Sequence, residues 1–304
     1  MDHKNREEGL VPRVSVGMPV YNGERYLELA IASILGQDLT DFELIISDNA
    51  STDGTEGICR RFAAADSRIR YARNSVNLGA AANYNTVFHM ARARYFKWAS
   101  HDDVCAPALL RRCVDVLDNS PPTVALCYPK TLLIDENGRE LGSYEDRMDV
   151  RFAKPHQRLF HVLKHLEMCN VVFGVIRTDV LRHTRLIGGY QSSDMVLLAE
   201  LSLLGEFWEV PERLFMRRRH AEASVAANPK PVQRALWFDP ANAKRRVLPR
   251  LPKLRLAMEH IRGITCAPIT DCERLRCYKV AMAHWLPQWR MLGGEVKRML
   301  MHRR

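Results

Sequence analysis

No apolar run in this 304-residue chain approaches the roughly 20 residues that a membrane-spanning helix requires. The first ten residues, MDHKNREEGL, hold no apolar signal core, so a soluble cytoplasmic protein is expected. The eight cysteines form no C-x-x-C pair and no ordered framework spacing, which argues against a disulfide scaffold and the common zinc modules. Most lie in apolar runs and read as reduced core thiols, and the nearest pair, Cys272 and Cys277, has no His or Cys partner at metal-ligand spacing. Also missing are G-x-G-x-x-G after a strand, G-x-x-x-x-G-K-[ST], G-x-S-x-G, H-E-x-x-H and the kinase signatures, which removes the usual phosphate cradles and hydrolase motifs. Internal repeats and low-complexity runs are absent. What remains is a chain 47% apolar, enough to fill a core and too much for a disordered or collagen-like polymer.

The net charge of +10 is unevenly spread. From Lys230 onward there are 17 Lys and Arg against 5 Asp and Glu, whereas the residues before it hold 28 against 30. A basic tail attracts anionic lipid, nucleic acid or acidic polymers by the same Coulombic route. Its tryptophans, Trp237, Trp285 and Trp289, and its leucines recur with arginines in helical patterns, which suits an anionic membrane surface better than nucleic acid. Packing of those helices on the rest of the chain or on a second subunit has equal weight, and a homo-oligomer stays open.

The first hundred residues alternate β-rich runs with helical stripes, the pattern of parallel β-α units. VSVGM (Val14 to Met18), ELIIS (Glu43 to Ser47), IRYAR (Ile69 to Arg73) and YFKWAS (Tyr95 to Ser100) read as strands. Between them, Leu27, Ala30, Ile31, Ile34 and Leu35 share one helical stripe, and helices are predicted from about Glu56 to Ala65 and Ala80 to Ala91. Pro107 suits the first turn of a helix running to Leu117. VALCYP (Val124 to Pro129) and TLLI (Thr131 to Ile134) with the turn DENG read as a strand and hairpin. Residues 156 to 168 pattern as a helix, VVFGVI (Val171 to Ile176) as a buried strand, and Met195 to Leu204 as a buried helix. Texture changes at Pro-Lys-Pro, so a boundary is placed near residue 228, with 1–228 as one α/β domain and 229–304 as a basic helical extension.

In open α/β sheets, ligands bind beyond the carboxyl ends of the strands. Three polar clusters occupy such positions: Pro19, Tyr21 and Asn22; Asp48 to Thr52; and Asp102 with Asp103. Asp48 either accepts from the imide N–H of a base or serves as an Asx-turn residue ahead of a helix capped by Ser51 or Thr52. Asp102 and Asp103 either hold Mg²⁺ or Mn²⁺ against a diphosphate or form a solvated acidic loop. Asp194 either complements a helix dipole or is held as a general base at a cavity edge. His220, after Arg217 to Arg219, is either a metal or phosphate contact or simply solvated.

Taken together these stretches resemble family 2 glycosyltransferases. VSVGMPVYNGERYLELAIASILGQDLTDFELIISDNASTDGT, NLGAAANYN (Asn77 to Asn85), YFKWASHDDVCAPALL, SSDMVLLAELSLLGEF and RRRHAEAS follow that family's order over roughly residues 12 to 224. The resemblance implies a GT-A fold, a Rossmann-like, mostly parallel sheet flanked by helices, and an inverting transfer of a sugar from a nucleotide-diphosphate donor (UDP-, GDP- or dTDP-linked) to a saccharide or lipid-linked acceptor, in cell-surface polysaccharide or glycolipid synthesis. It implies that Pro19, Tyr21, Asn22, Asp48, Asn77 and Gly79 shape the nucleoside pocket, that Asp102 and Asp103 belong to the donor site, that Asp102 and His220 contact a divalent cation, Mn²⁺ or Mg²⁺, and that Asp194 is the catalytic base. Ser100 stands where the first carboxylate of the family's D-x-D element belongs, so the sequence reads S-H-D-D and weak metal affinity is expected. Without a metal, Arg217 to Arg219 and helix amino termini would have to stabilise the leaving group. The competing reading is a nucleotide-sugar-binding or scaffold protein without transfer activity. A peripheral location at the inner face of the membrane is expected from the basic extension.

Overall fold

The computed structural model describes residues 11–223, 227–243, 251–288 and 293–294. The amino-terminal ten residues and Trp289 lie outside that set.

One sheet organises the chain, in the strand order β3-β2-β1-β4-β8-β6-β9-β5, with β7 added on β6. β1 (Val14–Val20), β2 (Phe42–Asp48), β3 (Ile69–Arg73) and β4 (Tyr95–Trp98) are mutually parallel. β6 (Val124–Ile134) pairs in parallel with β9 (Glu206–Arg218), while β5 (Val104–Cys105), β7 (Glu140–Tyr144) and β8 (Val175–Arg177) run against their neighbours. All seven residues of β1 and of β2 are buried, as expected of parallel strands covered on both faces.

Alternation along the strands feeds two cores. Val14, Val16, Met18, Leu44 and Ile46 face α1 (Glu24–Leu35) and α4 (Leu109–Asn119). Ile45, Phe96 and Trp98 join the core on the opposite face, under α3 (Ala80–His89), α5 (Pro155–His165) and α7 (Ser193–Leu204). Gly17 lets α3 lie close to β1, since a Cβ there would meet Val87 Cγ2 at 2.7 Å and Phe96 Cζ at 2.8 Å. α2 (Thr55–Ala65) covers β2 and β3, and α6 (Thr178–Leu181) is a single turn after β8.

The basic extension packs on this unit. It supplies α8 (Pro231–Phe238), α9 (Pro240–Ala243), α10 (Pro252–Cys266) and α11 (Asp271–Trp285). Ile264, Ala267, Cys277 and Ala281 are buried in the same core as Leu197, Leu198 and Leu201 of α7. Arg185 bridges Glu200 of α7 at 2.5 Å and Glu259 of α10 at 2.6 Å, and His156 of α5 meets Glu273 of α11 at 2.7 Å.

Several local expectations change. VVFGVI is not one strand: Asn170–Phe173 form a 3₁₀ turn and only Val175–Arg177 pair. An apolar run is buried in either conformation, so periodicity does not separate them. Gly174 marks the break, with no room for a Cβ against Cys127 O at 2.6 Å. VALCYP and TLLI form a single strand whose register against β9 slips around Pro129 and Lys130, where proline offers no N–H to the ladder. Pro107 lies in the turn before α4, which starts at Leu109. The hairpin at DENG forms, with β7 as its return strand, while the thirteen-residue β9 and the two-residue β5 were not read from the sequence.

Candidate active site

The carboxyl ends of β1, β2 and β4 open into a cavity of about 330 Å³, lined by Pro19, Tyr21, Asn22, Asn77, Asp102 and His220 among others. Five of those six contacts come from loops that follow strands or a helix start. Asn22 takes a left-handed backbone (φ 50°), its Oδ1 accepting from Thr52 N at 2.8 Å and its own N–H donating to Ser51 Oγ at 2.9 Å, which locks the first two strand-end loops together.

Asp48 is wholly buried beneath this cavity and does not line it. Its oxygens accept from Ser51 N at 2.8 Å and the Tyr71 hydroxyl at 3.0 Å, with Arg73 Nε at 3.2 Å, so its charge is compensated by its own loop and by β3. Its neighbour Asn49 does reach the cavity and ties down the opposite wall, donating to Asn77 Oδ1 at 2.9 Å and accepting from Leu78 N at 2.9 Å. Gly79 sits at φ 86°, where a side chain is strained, and a Cβ there would meet Pro240 Cδ at 2.5 Å and Phe238 O at 2.6 Å. Glycine at the start of α3 therefore lets the extension close down on the cavity.

Asp102 and His220 are 118 residues apart and in contact, with His220 Nε2 at 2.9 Å from Asp102 Oδ2. The sheet explains it: β5 directly follows the acidic pair and β9 ends at Arg218, just short of the histidine, and the register Val104 to Met216 carries both ends to the same edge. Ser100 Oγ donates to Asp102 Oδ1. Burial alone would raise the Asp102 carboxyl, but His220, nearby His101 and the Ser100 hydroxyl outweigh it and hold it well below the ordinary range. Asp103 turns away from the cavity: buried, it accepts from Arg218 N at 2.8 Å, and burial with the adjacent Asp102 charge pushes its carboxyl up. Arg218 is likewise structural, donating to Asp102 O at 2.9 Å and Asp135 O at 3.0 Å beneath the Tyr26 ring. Tyr26 meets His220 edge-on, with ring centroids 4.8 Å apart.

Asp194, in the first turn of α7, lines a second cavity of about 200 Å³. The two cavities share Ala80, Tyr84 and Trp237, so Asp102 and Asp194 face adjoining spaces. Burial raises the Asp194 carboxyl above its usual value, against the opposing pull of the Cys169 thiol, the Met195 N–H and Arg217. Ser192, just before it, holds a left-handed backbone at φ 64°, a strained geometry for a non-glycine residue that turns the helix start toward the cavity. Tyr84, between the two spaces, is kept protonated by burial and by Asp102, Asp103 and Asp194.

Of the residues singled out in the sequence, Pro19, Tyr21, Asn22, Asn77, Asp102 and His220 thus share one cavity and Asp194 the next, whereas Asp48, Gly79 and Asp103 support the walls. Asn49 lies in the polar cluster Asp48 to Thr52 picked out in the sequence, whereas Tyr84 and Trp237 were not read as site residues. Tyr84 lay inside NLGAAANYN, but nothing in a helical stripe says that Trp237 would roof a site built 200 residues earlier.

A divalent cation fits Asp102 and His220. A carboxylate beside an imidazole whose Nδ1 is buried without a partner among the described residues offers a donor pair to a hard ion, which needs only one or two protein ligands when a diphosphate supplies the rest. Among the described residues no group of three or more His, Cys, Asp or Glu side chains could hold a metal by itself.

A segment of 136 residues is 33% identical to an uncharacterised glycosyltransferase of Methanocaldococcus jannaschii, covering 44% of this chain and 47% of that one. A segment of 221 residues is 25% identical to one of Haemophilus influenzae, covering 69% and 66%. The chain thus spans about half to two thirds of the length of these relatives. Staphylococcus aureus TarS in complex with UDP-GlcNAc superposes with a TM-score of 0.63 at 14% identity, over 90% of this chain and 72% of that one. The mannosyltransferase PcManGT of Pyrobaculum calidifontis, in complex with GDP-Man and Mn²⁺, gives 0.52 at 16% identity, over 95% and 86%. At such identities the likeness is one of fold, the GT-A arrangement of a mostly parallel sheet flanked by helices. The model of glycosyl transferase family 2 matches residues 15–182, more than half the chain, and the chain belongs to that family.

Proposed function

We propose that the protein transfers a sugar with inversion from a nucleotide-diphosphate donor to a hydroxyl of a saccharide or lipid-linked acceptor, in the assembly of a cell-surface polysaccharide or glycolipid. One observation carries this reading: the Asp102–His220 pair and Asp194 face adjoining cavities that share a wall, so a leaving diphosphate and a general base stand on two sides of one reacting carbon. The nucleoside lies against Pro19, Tyr21, Asn22 and Asn77, with Asp48, Gly79 and Asp103 fixing the shape of that pocket. UDP-, GDP- and dTDP-linked donors are all candidates, and the complexes of TarS with UDP-GlcNAc and of PcManGT with GDP-Man support this class.

Asp194 takes the proton of the acceptor hydroxyl as that oxygen bonds to the anomeric carbon from the face opposite the nucleotide. The bond from that carbon to the diphosphate breaks and its electron pair leaves with the nucleoside diphosphate. Mn²⁺ or Mg²⁺ held by Asp102 and His220 would neutralise charge on the departing phosphates. Residues 1–228 act in this reading as the catalytic domain and 229–304 as an extension whose α8 roofs the cleft. Intact Asp102 and Asp194 facing joined cavities favour an active enzyme over a binding or scaffold protein.

The test is a screen of nucleotide sugars by thermal shift with and without Mn²⁺, followed by donor turnover. Stabilisation by one donor, increased by Mn²⁺, and release of its nucleoside diphosphate are expected. Binding without any turnover under transfer conditions would leave the scaffold reading standing.

The exposed Met258 and Ile261 of α10 and Leu275 and Met282 of α11, with the excess of basic residues after 229, support peripheral contact with an anionic membrane at its cytoplasmic face. No helix among the described residues is long and apolar enough to cross a membrane. Salt-sensitive binding to anionic vesicles and none to RNA is the expected result.

A further inference from the structure

The cavity that holds Asp194 is walled by two guanidinium groups, Arg217 and Arg234, that form no ion pair with a carboxylate among the described residues. Arg217, near the end of β9, donates from Nη1 to Asn170 Oδ1 at 2.5 Å. Arg234, on α8, donates to Asn228 O and Pro229 O, both at 2.8 Å. Neither has an Asp or Glu oxygen at ion-pairing distance among the described residues. The exposed Arg25 and Arg112, by contrast, are each paired with a glutamate. Asp194 is the one carboxylate of this lining, so with Asp194 in its basic form the lining carries two guanidinium charges against one negative charge; buried Asp146, outside the lining, also acts on Arg217, but burial pushes its carboxyl up to about 6. Ser193, wholly buried, contributes to the same lining a hydroxyl without a hydrogen-bond partner. A half-buried guanidinium fork whose only partners are neutral oxygens is suited to a planar or tetrahedral oxyanion, which it binds through two parallel hydrogen bonds.

The donor's diphosphate does not account for this charge. It belongs beside Asp102 and His220, in the neighbouring cavity, and displacement with inversion puts the acceptor on the side of the base. We infer that the acceptor carries an oxyanion, a carboxylate or a phosphate, held by Arg217 and Arg234 while its reacting hydroxyl faces Asp194. The inference rests on the glycosyl-transfer reading above and adds the chemical class of the acceptor.

The test uses the full chain and the nucleotide sugar that it turns over. Transfer is measured to a hexuronate oligosaccharide, a polyol phosphate oligomer and a neutral oligosaccharide of similar length, in the wild type and in Arg217→Gln, Arg234→Gln and Arg234→Lys. At least one anionic acceptor is expected to react about tenfold or more faster than the neutral one. That ratio falls toward one in both glutamine variants and is largely retained in Arg234→Lys, which keeps the charge; loss of a purely structural arginine would lower all three rates together. The hexuronate and polyol phosphate arms distinguish carboxylate from phosphate. Equal or faster use of the neutral acceptor, a ratio that survives both glutamine substitutions, or hydrolysis of the donor with transfer to none of the three overturns the inference and leaves donor chemistry intact. Absence of any donor turnover removes the glycosyl-transfer reading on which it stands.

Discussion

Residues 14–105 and residues 206–288 meet at one cleft but build it in opposite ways. The first region is a run of β-α units in which β1 pairs with β2 and β2 with β3, and the loops at their ends form one wall of the larger cavity. The second region contributes by long reach, through the β9 edge that delivers His220 and Arg217, the roof formed by α8, and the helices α10 and α11 that complete the core behind Asp194. Local units thus build most of the wall of the larger cavity, whereas distant segments bring His220 to Asp102 and Arg217, Arg234 and Trp237 to the cavity beside Asp194.

The sharpest way to break that comparison is to ask whether the second region is structural in its own right. Ala281→Asp buries a charge in the shared core, where Ala281 is fully enclosed. A loss of about 4 kcal/mol or more is expected, read as the denaturation midpoint at unchanged slope. A midpoint close to wild type would show the extension to be only loosely attached.

Next in size is Asp194→Asn, for which transfer falls by about 100-fold or more while nucleotide affinity by titration stays near wild type. Unchanged turnover would remove the base assignment. The pH profile carries the sign: Asp194 must be ionised to accept a proton, and burial raises its pKa. Activity therefore falls with acid at a pH above that of an ordinary carboxylate, and a limb at or below the usual aspartate value contradicts this environment.

A smaller effect separates the regions through pH and stability. His260, on α10, accepts from Trp285 Nε1 at 3.3 Å, and burial, His284 and Arg185 lower it from 6.5 to about 3. Its folded pKa is depressed, so the unfolded chain takes up the proton first, and stability is lost as pH falls below 6.5. The expected loss between about pH 7 and pH 5 is about 2 kcal/mol, and His260→Gln should flatten it. An unchanged slope in that variant would assign the acid sensitivity elsewhere.

The smallest is Gly79→Ala, at the seam between the regions. Strain at φ 86° and the approach of Pro240 and Phe238 predict a loss of about 1–2 kcal/mol. It should come with weaker nucleotide binding, measured by calorimetry; a wild-type value for both would mean that α8 and α9 do not close on this site.

Much of the first region was legible. Four strands, the buried stripe Leu27, Ala30, Ile31 and Ile34, and the polar residues at strand ends all follow from spacing, because β-α units satisfy their hydrogen bonds and burial locally. Asp48 shows the limit: its position after β2 was plain, but whether it faced ligand or Arg73 was not. β9 escaped because its burial alternates irregularly along EFWEVPERLFMRR, with charges set among the apolar residues. The role of Trp237 escaped because it depends on where a chain segment lands and leaves no local signal.

By itself the sequence determined the parallel β-α core, the supply of carboxylates at strand ends and the uneven charge, since each depends on residues within a few positions of one another. Only the tertiary structure decided that Asp102 meets His220, that Asp103 and Asp48 turn inward, and that Arg217 and Arg234 share a wall with Asp194. Those facts are set by sheet register and helix docking between segments more than 100 residues apart in several cases, and the free energy of such contacts appears only when the chain has closed around them.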